Sequence, residues 1–225
     1  YRETWIPPVV NRDSMTGTGQ LPKFEFDLYR IEADDLFLVP TAEVPLTNVH
    51  ADDSLLHKDL PLRYAAYSPC FRREAGSHGK DTRGLIRVHW FDKIEMVAFC
   101  GPEQAEAEHE HMLLAAEAIL KKLGLRYRVQ LLCTGEMSFA NEKCYDVELW
   151  CPGVRKWLEV SSVSRFGSFQ ARRMNARFRG EDGKLHHLHT LNGSGVAFPR
   201  LIISILENCQ NQAGGVDIPD ALVPY

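Results

Sequence analysis

The sequence contains no run approaching the roughly 20 consecutive apolar residues that a membrane-spanning helix needs, and its start carries no basic stretch followed by an apolar core. These absences set a soluble protein, free of membrane, as the expectation. Cysteine is sparse: six in 225 residues, scattered as Cys70, Cys100, Cys133, Cys144, Cys151 and Cys209, with no C-x-x-C pair. A chain of this length can bury a core without covalent staples, so reduced thiols in the cytoplasm, or in an organellar matrix if a leader was removed, are expected. There is no internal repeat and no low-complexity tract, so the chain is read as alternating strands, turns and a few helices. The phosphate loop G-x-x-x-x-G-K-[ST] does not occur, which disfavours a Walker-type nucleotide site. Nor is there an excess of basic charge. The formal net charge of -4 argues against a protein held to nucleic acid by bulk electrostatics. An initiator methionine is missing too: the chain opens at Tyr1 and reaches the strand-like Thr4-Trp5-Ile6 at once, so a front end is expected to precede it.

What is present is an ordinary globular composition, 44% hydrophobic and 25% charged, read as one domain spanning residues 1–225. Between Arg63 and Lys93 the balance reverses: Arg63, Arg72, Arg73, Lys80, Arg83, Arg87 and Lys93 stand against Glu74, Asp81 and Asp92. Such an island suits a compact polyanion. The spacing of Met112, Leu113, Ala116, Ile119, Leu120 and Leu123 predicts a helix over 102–123 with one buried stripe, its acidic start and its Lys121-Lys122 end matching the dipole. On that helix His109 and His111 interrupt an acidic face and are expected to be solvated. A second helix is expected over 198–209. Strands are expected over 35–39, 64–71, 86–99, 127–133, 144–150 and 156–164, and linkers over 11–23, 74–84 and 180–184. Consecutive strands without intervening helices imply an α+β fold with a mainly antiparallel sheet of six or seven strands flanked by helices. His186, His187 and His189 are close in sequence, but the first two lie beside a hairpin tip and no cysteine follows at metal spacing, so they are read as structural. The run Arg172, Arg173, Arg177 and Arg179 reads as a solvated or ion-paired face.

The segment Cys70-Phe71-Arg72-Arg73-Glu74-Ala75-Gly76, a polar loop, and then Arg83 to Glu95 read as strand, loop, strand. Antiparallel pairing would gather Arg72, Glu74, Arg87, Phe91 and Glu95. An arginine fork grips phosphate oxygens, a carboxylate accepts from an adenine amino group, and a phenylalanine lies flat on a purine. A hairpin whose arginines and acids merely pair with one another is the alternative reading of the same residues.

This hairpin resembles motif 2 of the class II aminoacyl-tRNA synthetases, residues 63–97, and is most similar to the seryl version. Ile6-Pro7-Pro8-Val9-Val10 resembles the second half of motif 1, partial here at residues 1–10, and Thr41-Ala42-Glu43 resembles that family's serine-binding loop. His189-Thr190-Leu191-Asn192-Gly193-Ser194-Gly195, Pro199-Arg200 and Leu206-Glu207-Asn208 resemble motif 3, residues 189–209. Leu158-Glu159-Val160-Ser161-Ser162 and Phe169-Gln170-Ala171-Arg172-Arg173 complete a likeness covering nearly the whole chain.

The resemblance implies an ATP-dependent ligase that activates L-serine to seryl-adenylate and transfers it to serine tRNA. Thr41, Ala42, Glu43, Arg72, Glu95, Asn192 and Ser194 would surround serine. Arg72, Arg73, Glu74, Arg87, Val88, Phe91, Glu159, Val160, Ser161, Ser162 and Arg200 would bind ATP, with Glu74 and the Val88 backbone reading adenine and Phe91 and Arg200 enclosing it. Arg72, Glu159 and Arg200 would be the catalytic set, and Glu159 and Ser162 would hold Mg2+. It also implies a homodimer in a longer protein. The family's N-terminal tRNA-binding helical arm is absent, so a weakened hold on tRNA is expected. Ser164-Arg165-Phe166-Gly167-Ser168 departs from the more polar and acidic stretch usual in bacterial members. A ligase loading a carrier protein, and a synthetase-like regulator without activity, are the alternative functions.

Overall fold

The computed structural model describes residues 1–76 and 84–225. Seven strands form the central sheet: β1 (Arg2–Glu3), β6 (Leu62–Phe71), β7 (Trp90–Cys100), β8 (Tyr127–Leu131), β9 (Lys143–Cys151), β10 (Lys156–Arg165) and β13 (His189–Ala197). Their order is β1-β6-β7-β13-β10-β9-β8, and every pairing is antiparallel except β1 with β6. Two small sheets accompany it. One joins β2 (Val9–Asn11), β3 (Arg30–Ile31) and β4 (Leu36–Leu38), and the other β5 (Ser54–Leu56), β11 (Arg177–Arg179) and β12 (Leu185–His187). The helices are α1 (Arg12–Gly17), α2 (Glu43–Asn48), α3 (Ala105–Lys122), α4 (Phe169–Arg173) and α5 (Phe198–Asn208). The expected α+β fold is present, with seven strands in the main sheet.

Alternation along β7 divides the core in two. Met96, Ala98 and Cys100 pack with Met112, Leu113, Ala116 and Leu120 of α3 and Leu201 of α5. Val97 and Phe99 point the other way, into a cluster with Ala42, Leu46 and Ala171 around α2 and α4. Each fully buried Leu or Met contributes about 1.5–3 kcal/mol, so α3 is held chiefly by its stripe.

Several expectations need correction. Pro102 to Gln104 form a turn before α3, with the Gln104 N–H donating to the Gly101 carbonyl at 3.1 Å and the Gly101 N–H donating to Gln104 Oε1 at 3.0 Å. The supposed linker 11–23 contains α1, whose N-terminus is capped by Asn11 Oδ1 accepting from the Ser14 N–H at 2.9 Å. No strand starts at Thr4: β1 ends at Glu3, one further bond runs from the Thr4 N–H to the Ala65 carbonyl, Pro7 and Pro8 have no N–H to pair, and pairing resumes only in β2 at Val9. The strand expected from Ile86 starts at Trp90. His109 is not solvated: it is fully buried, 2.9 Å from the Val163 carbonyl through Nε2 and stacked on Tyr145, and burial pushes its pKa down. His111 is exposed as expected. β13, in the middle of the sheet, was not among the expected strands.

Candidate functional site

Phe91, Lys93 and Glu95 alternate along β7 and therefore share a face. On the neighbouring β13, Ser194 lies opposite Glu95 and Asn192 opposite Val97. Thr41 precedes α2, and its Oγ1 accepts from the N–H of Glu43, the first residue of that helix, at 3.2 Å. Together these line one end of a cavity of about 550 Å³.

That end is densely bonded. Glu95 is 1% exposed; Asn192 Nδ2 donates to its Oε1 at 3.1 Å, and Thr41 donates to Oε2 at 3.3 Å. The Lys93 ammonium also bonds Oε2, and donates to Thr41 Oγ1 at 3.0 Å and to Ser194 Oγ at 3.2 Å. Glu43 is buried as well. Its carboxyl pKa is pushed up to about 7, first by burial and then by the charge of Glu95, against the pull of the Gln170 hydrogen bond and of Lys93 and Arg72. Gln170, on α4, donates to Glu43 Oε1 at 2.7 Å and accepts from Thr190 Oγ1 at 2.7 Å.

The middle of the cavity belongs to the end of β6 and the start of β7. The Arg72 N–H continues the ladder by donating to the His89 carbonyl at 2.9 Å. Its Nε donates to the Pro40 carbonyl at 3.3 Å, and its guanidinium lies over the Phe91 ring at 5.2 Å. Glu74, at φ +54°, pairs with Arg87. Val88 also lines this part.

At the far end, β10 carries a bulge between Glu159 and Ser161. Bulges re-aim side chains: here Glu159, Val160 and Ser162 all line the cavity. Ser161 does not, and its hydroxyl donates to the Ser194 carbonyl at 2.5 Å. Arg200, in the first turn of α5, donates to the Glu159 carbonyl at 2.7 Å and to the Ile86 carbonyl at 3.3 Å. Asp146 faces Ser162 across the β9–β10 pair. Burial, then the charge of Glu159, raise its pKa to about 6, with a Ser162 hydrogen bond opposing.

Three predicted site residues thus do not line the cavity. Ser161 ties two strands together, Ala42 is wholly buried in the core, and Arg73 is anchored by its N–H to the Asp27 carbonyl at 2.9 Å. The basic island is also not one surface. Arg63 forms a two-pronged pair with Glu108, both contacts at 2.6 Å, and Lys93 is buried; Lys80, Asp81 and Arg83 lie outside the described residues. Sequence reasoning gave Lys93, Gln170 and Asp146 no place in the site. Alternation with Phe91 and Glu95 was signal enough for Lys93. Asp146 required the strand order, and Gln170 required the tertiary packing of α4.

Comparison with known proteins gives a consistent result. Residues 24–209 match the tRNA synthetase class II core domain (G, H, P, S and T). The chain is 55% identical over its whole length to the serine--tRNA ligase of Methylacidiphilum infernorum and 58% identical to that of Nitratidesulfovibrio vulgaris, covering 53% of each. It spans about half the length of these curated relatives. The crystal structure of seryl-tRNA synthetase from Pyrococcus horikoshii complexed with ATP superposes over all of this chain and 51% of its own, with a TM-score of 0.96 and 43% identity. Cytoplasmic serine-tRNA ligase from Naegleria fowleri in complex with AMP gives 0.93 and 33%, with 53% of that chain covered.

Proposed function

The chain belongs to the class II tRNA-synthetase core family, and from that premise we propose that it activates L-serine with ATP, releasing pyrophosphate, and passes the seryl group to the 3′ end of serine tRNA. The observation that carries the reading is the polar end of the cavity, where Thr41, Glu43, Glu95, Asn192 and Ser194 converge. A site that pairs a substrate hydroxyl rejects alanine strongly, because the wrong substrate leaves buried polar groups without partners.

In the reaction a serine carboxylate oxygen attacks the α-phosphorus. A new P–O bond forms, the bond to the bridging oxygen of pyrophosphate breaks, and the electron pair leaves with pyrophosphate. The nucleophile is already an anion, so no general base is required. The protein's task is positioning and charge compensation. In this reading Arg72, fixed through Nε, turns the rest of its fork to the α-phosphate and the serine carboxylate. Phe91 and Arg200 enclose adenine, whose amino group meets Glu74 and the Val88 backbone. Arg87 serves the outer phosphates. While paired with Glu74 its side chain is still about one-third exposed, so a phosphate can reach it.

The donor chemistry at Glu159 and Ser162 fits Mg2+. Asp146 and Glu159 repel each other, a strain that a divalent cation relieves, and hard oxygen donors suit an ion that keeps several waters. Among the described residues no set of three or more His, Cys, Asp or Glu converges, so water would complete the coordination. Bound there, Mg2+ would offset phosphate charge.

The same reading takes residues 1–10, 63–97 and 189–209 as the three class II motifs. It also includes a homodimer, for which Trp5, 96% exposed beside β1, is a natural contact, and a cytoplasmic location, which suits six free cysteines. The test is pyrophosphate exchange into ATP, run with each standard amino acid. Serine alone should support exchange; exchange with another amino acid, or none, would overturn the reading.

A further inference from the structure

Lys93 is the one charged residue in the polar end of the cavity that the resemblance assigns no role. It is 6% exposed and lies on β7 two residues before Glu95. An ammonium has three protons to donate and no lone pair. Lys93 spends them on Glu95 Oε2, Thr41 Oγ1 and Ser194 Oγ, the latter two at 3.0 and 3.2 Å. Three of the residues expected around serine thus converge on one buried cation.

Two consequences follow from the donor inventory. Because Lys93 fills a lone pair on Thr41 Oγ1 and on Ser194 Oγ, both hydroxyls must point their own protons elsewhere. Thr41 donates to Glu95 at 3.3 Å. Ser194, which lines the cavity, is left to donate into it. The second consequence concerns charge. Glu95, with Asn192 on one oxygen and Thr41 and Lys93 on the other, is charge-balanced inside the protein, whereas Glu43 has only the neutral amide of Gln170 in direct contact. One pocket thus holds two carboxylates in unequal states, one compensated and one not.

We propose that Lys93 is a specificity-determining residue: by cancelling the charge of Glu95 it makes the inner end of the pocket fit for a neutral hydroxyl and hostile to a cation. This rests on the serine reading above. A second ammonium brought to Glu95 would meet Lys93 at close range in a site of low dielectric, where like charges repel strongly. Removing the lysine would leave an uncompensated carboxylate that welcomes such a cation.

The discriminating substrate is 2,3-diaminopropionate, serine with its hydroxyl replaced by an amine. Exchange of pyrophosphate into ATP gives kcat/KM for each amino acid, and the quantity read is the ratio of diaminopropionate to serine. Wild type and variants are compared at one pH, so protonation of the free substrate cancels. Lys93→Met should raise the ratio at least about tenfold, the worth of roughly 1.4 kcal/mol, while the KM for ATP stays within about threefold. Lys93→Arg keeps the charge and should hold the ratio low, a rescue that a purely structural role would not give. If Lys93→Met does not fold, Lys93→Gln retains a donor to Glu95 without the charge, and should raise the ratio likewise. The double variant Lys93→Met/Glu95→Gln is neutral again and should return the ratio toward the wild-type value. A ratio unchanged in the uncharged variants, or raised equally in Lys93→Arg, would overturn the proposal while leaving the serine reading intact. A wild-type protein that shows no serine-dependent exchange would overturn both.

Discussion

At Glu43 the folded protein raises the carboxyl pKa from an ordinary 4.5 to about 7. Between those values the unfolded chain has lost the proton and the folded chain still holds it. Stability therefore falls as pH rises through that window, by roughly 3 kcal/mol if fully expressed. Such a cost is what a site accepts when it needs a carboxylate for an incoming ammonium. Gln170 moderates the cost by donating to Glu43 at 2.7 Å, and its amide is itself fixed by Thr190 and by the Thr18 carbonyl at 3.3 Å. The charges facing Glu43 are Glu95 and Lys93 from β7 and Arg72 from the end of β6. Taking the ionised form as the one that binds serine, kcat/KM for serine should rise with pH through a midpoint near 7 to a plateau. Gln170→Leu removes the bond that favours the anion, so the midpoint should move upward. A profile over about pH 6 to 8.5 reports the free-enzyme group. An unmoved midpoint in a folded Gln170→Leu protein would show that the amide does not tune Glu43.

At the scale of elements, the long periodic segments were legible, β7 of the site among them, and β13 was not. Both α3 and α5 follow from apolar spacing, and β6, β9 and β10 from alternation, within a few residues of their ends. β13 escaped because Asn192-Gly193-Ser194-Gly195 reads as a turn, whereas here the glycines serve close packing. A Cβ on Gly193 would stand 2.9 Å from Met112 Sδ and 3.1 Å from Val163 Cγ2, so its absence lets α3 lie directly on the sheet. The same polar residues that weaken the strand signal, Asn192 and Ser194, line the cavity, so the strand stayed hidden even though the motif resemblance named those residues for the site. The linker reading of α1 failed in a similar way, since glycine and threonine mask a six-residue helix that Asn11 caps. Gly193→Ala should destabilise the fold by about 1–3 kcal/mol through overpacking, lowering Tm by several degrees. Met112→Ala vacates the clashing atoms, so the double variant should lose less than the two single losses added together. Strict additivity in thermal unfolding would mean that the two residues do not press on each other.

For the molecule as a whole, charge poses a problem that no single residue reveals. The chain carries -4 overall, and the described cavity lining is acidic too: Asp27, Glu43, Glu74, Glu95, Glu136, Asp146 and Glu159 against Arg72, Arg87, Lys93 and Arg200. Three of those four cations are already engaged, Arg87 with Glu74, Lys93 with Glu95 and Arg200 with Glu159 at 3.7 Å. A nucleoside triphosphate entering such a space meets a net negative field unless it brings compensating cations, and in the proposed reading the Glu159, Asp146 and Ser162 end would supply oxygen donors to one. Asp146, whose pKa near 6 reflects burial and the nearby Glu159, should release its proton more readily once a divalent ion sits beside it. ATP binding followed by calorimetry should therefore weaken by at least about a hundredfold when Mg2+ is replaced by EDTA at constant ionic strength. With Mg2+ present, binding should release protons near pH 6, seen as a heat that varies with the ionisation enthalpy of the buffer. Glu159→Gln should abolish most of the Mg2+ dependence while leaving the thermal transition in place, because its side chain is about half exposed, its carboxylate stands 3.7 Å from Arg200, and the closer 2.7 Å contact with Arg200 is made by its carbonyl, which the substitution keeps. Equal ATP affinity with and without divalent cation would mean that the four cations of the lining suffice, and that the acidic far end serves some purpose other than holding a metal.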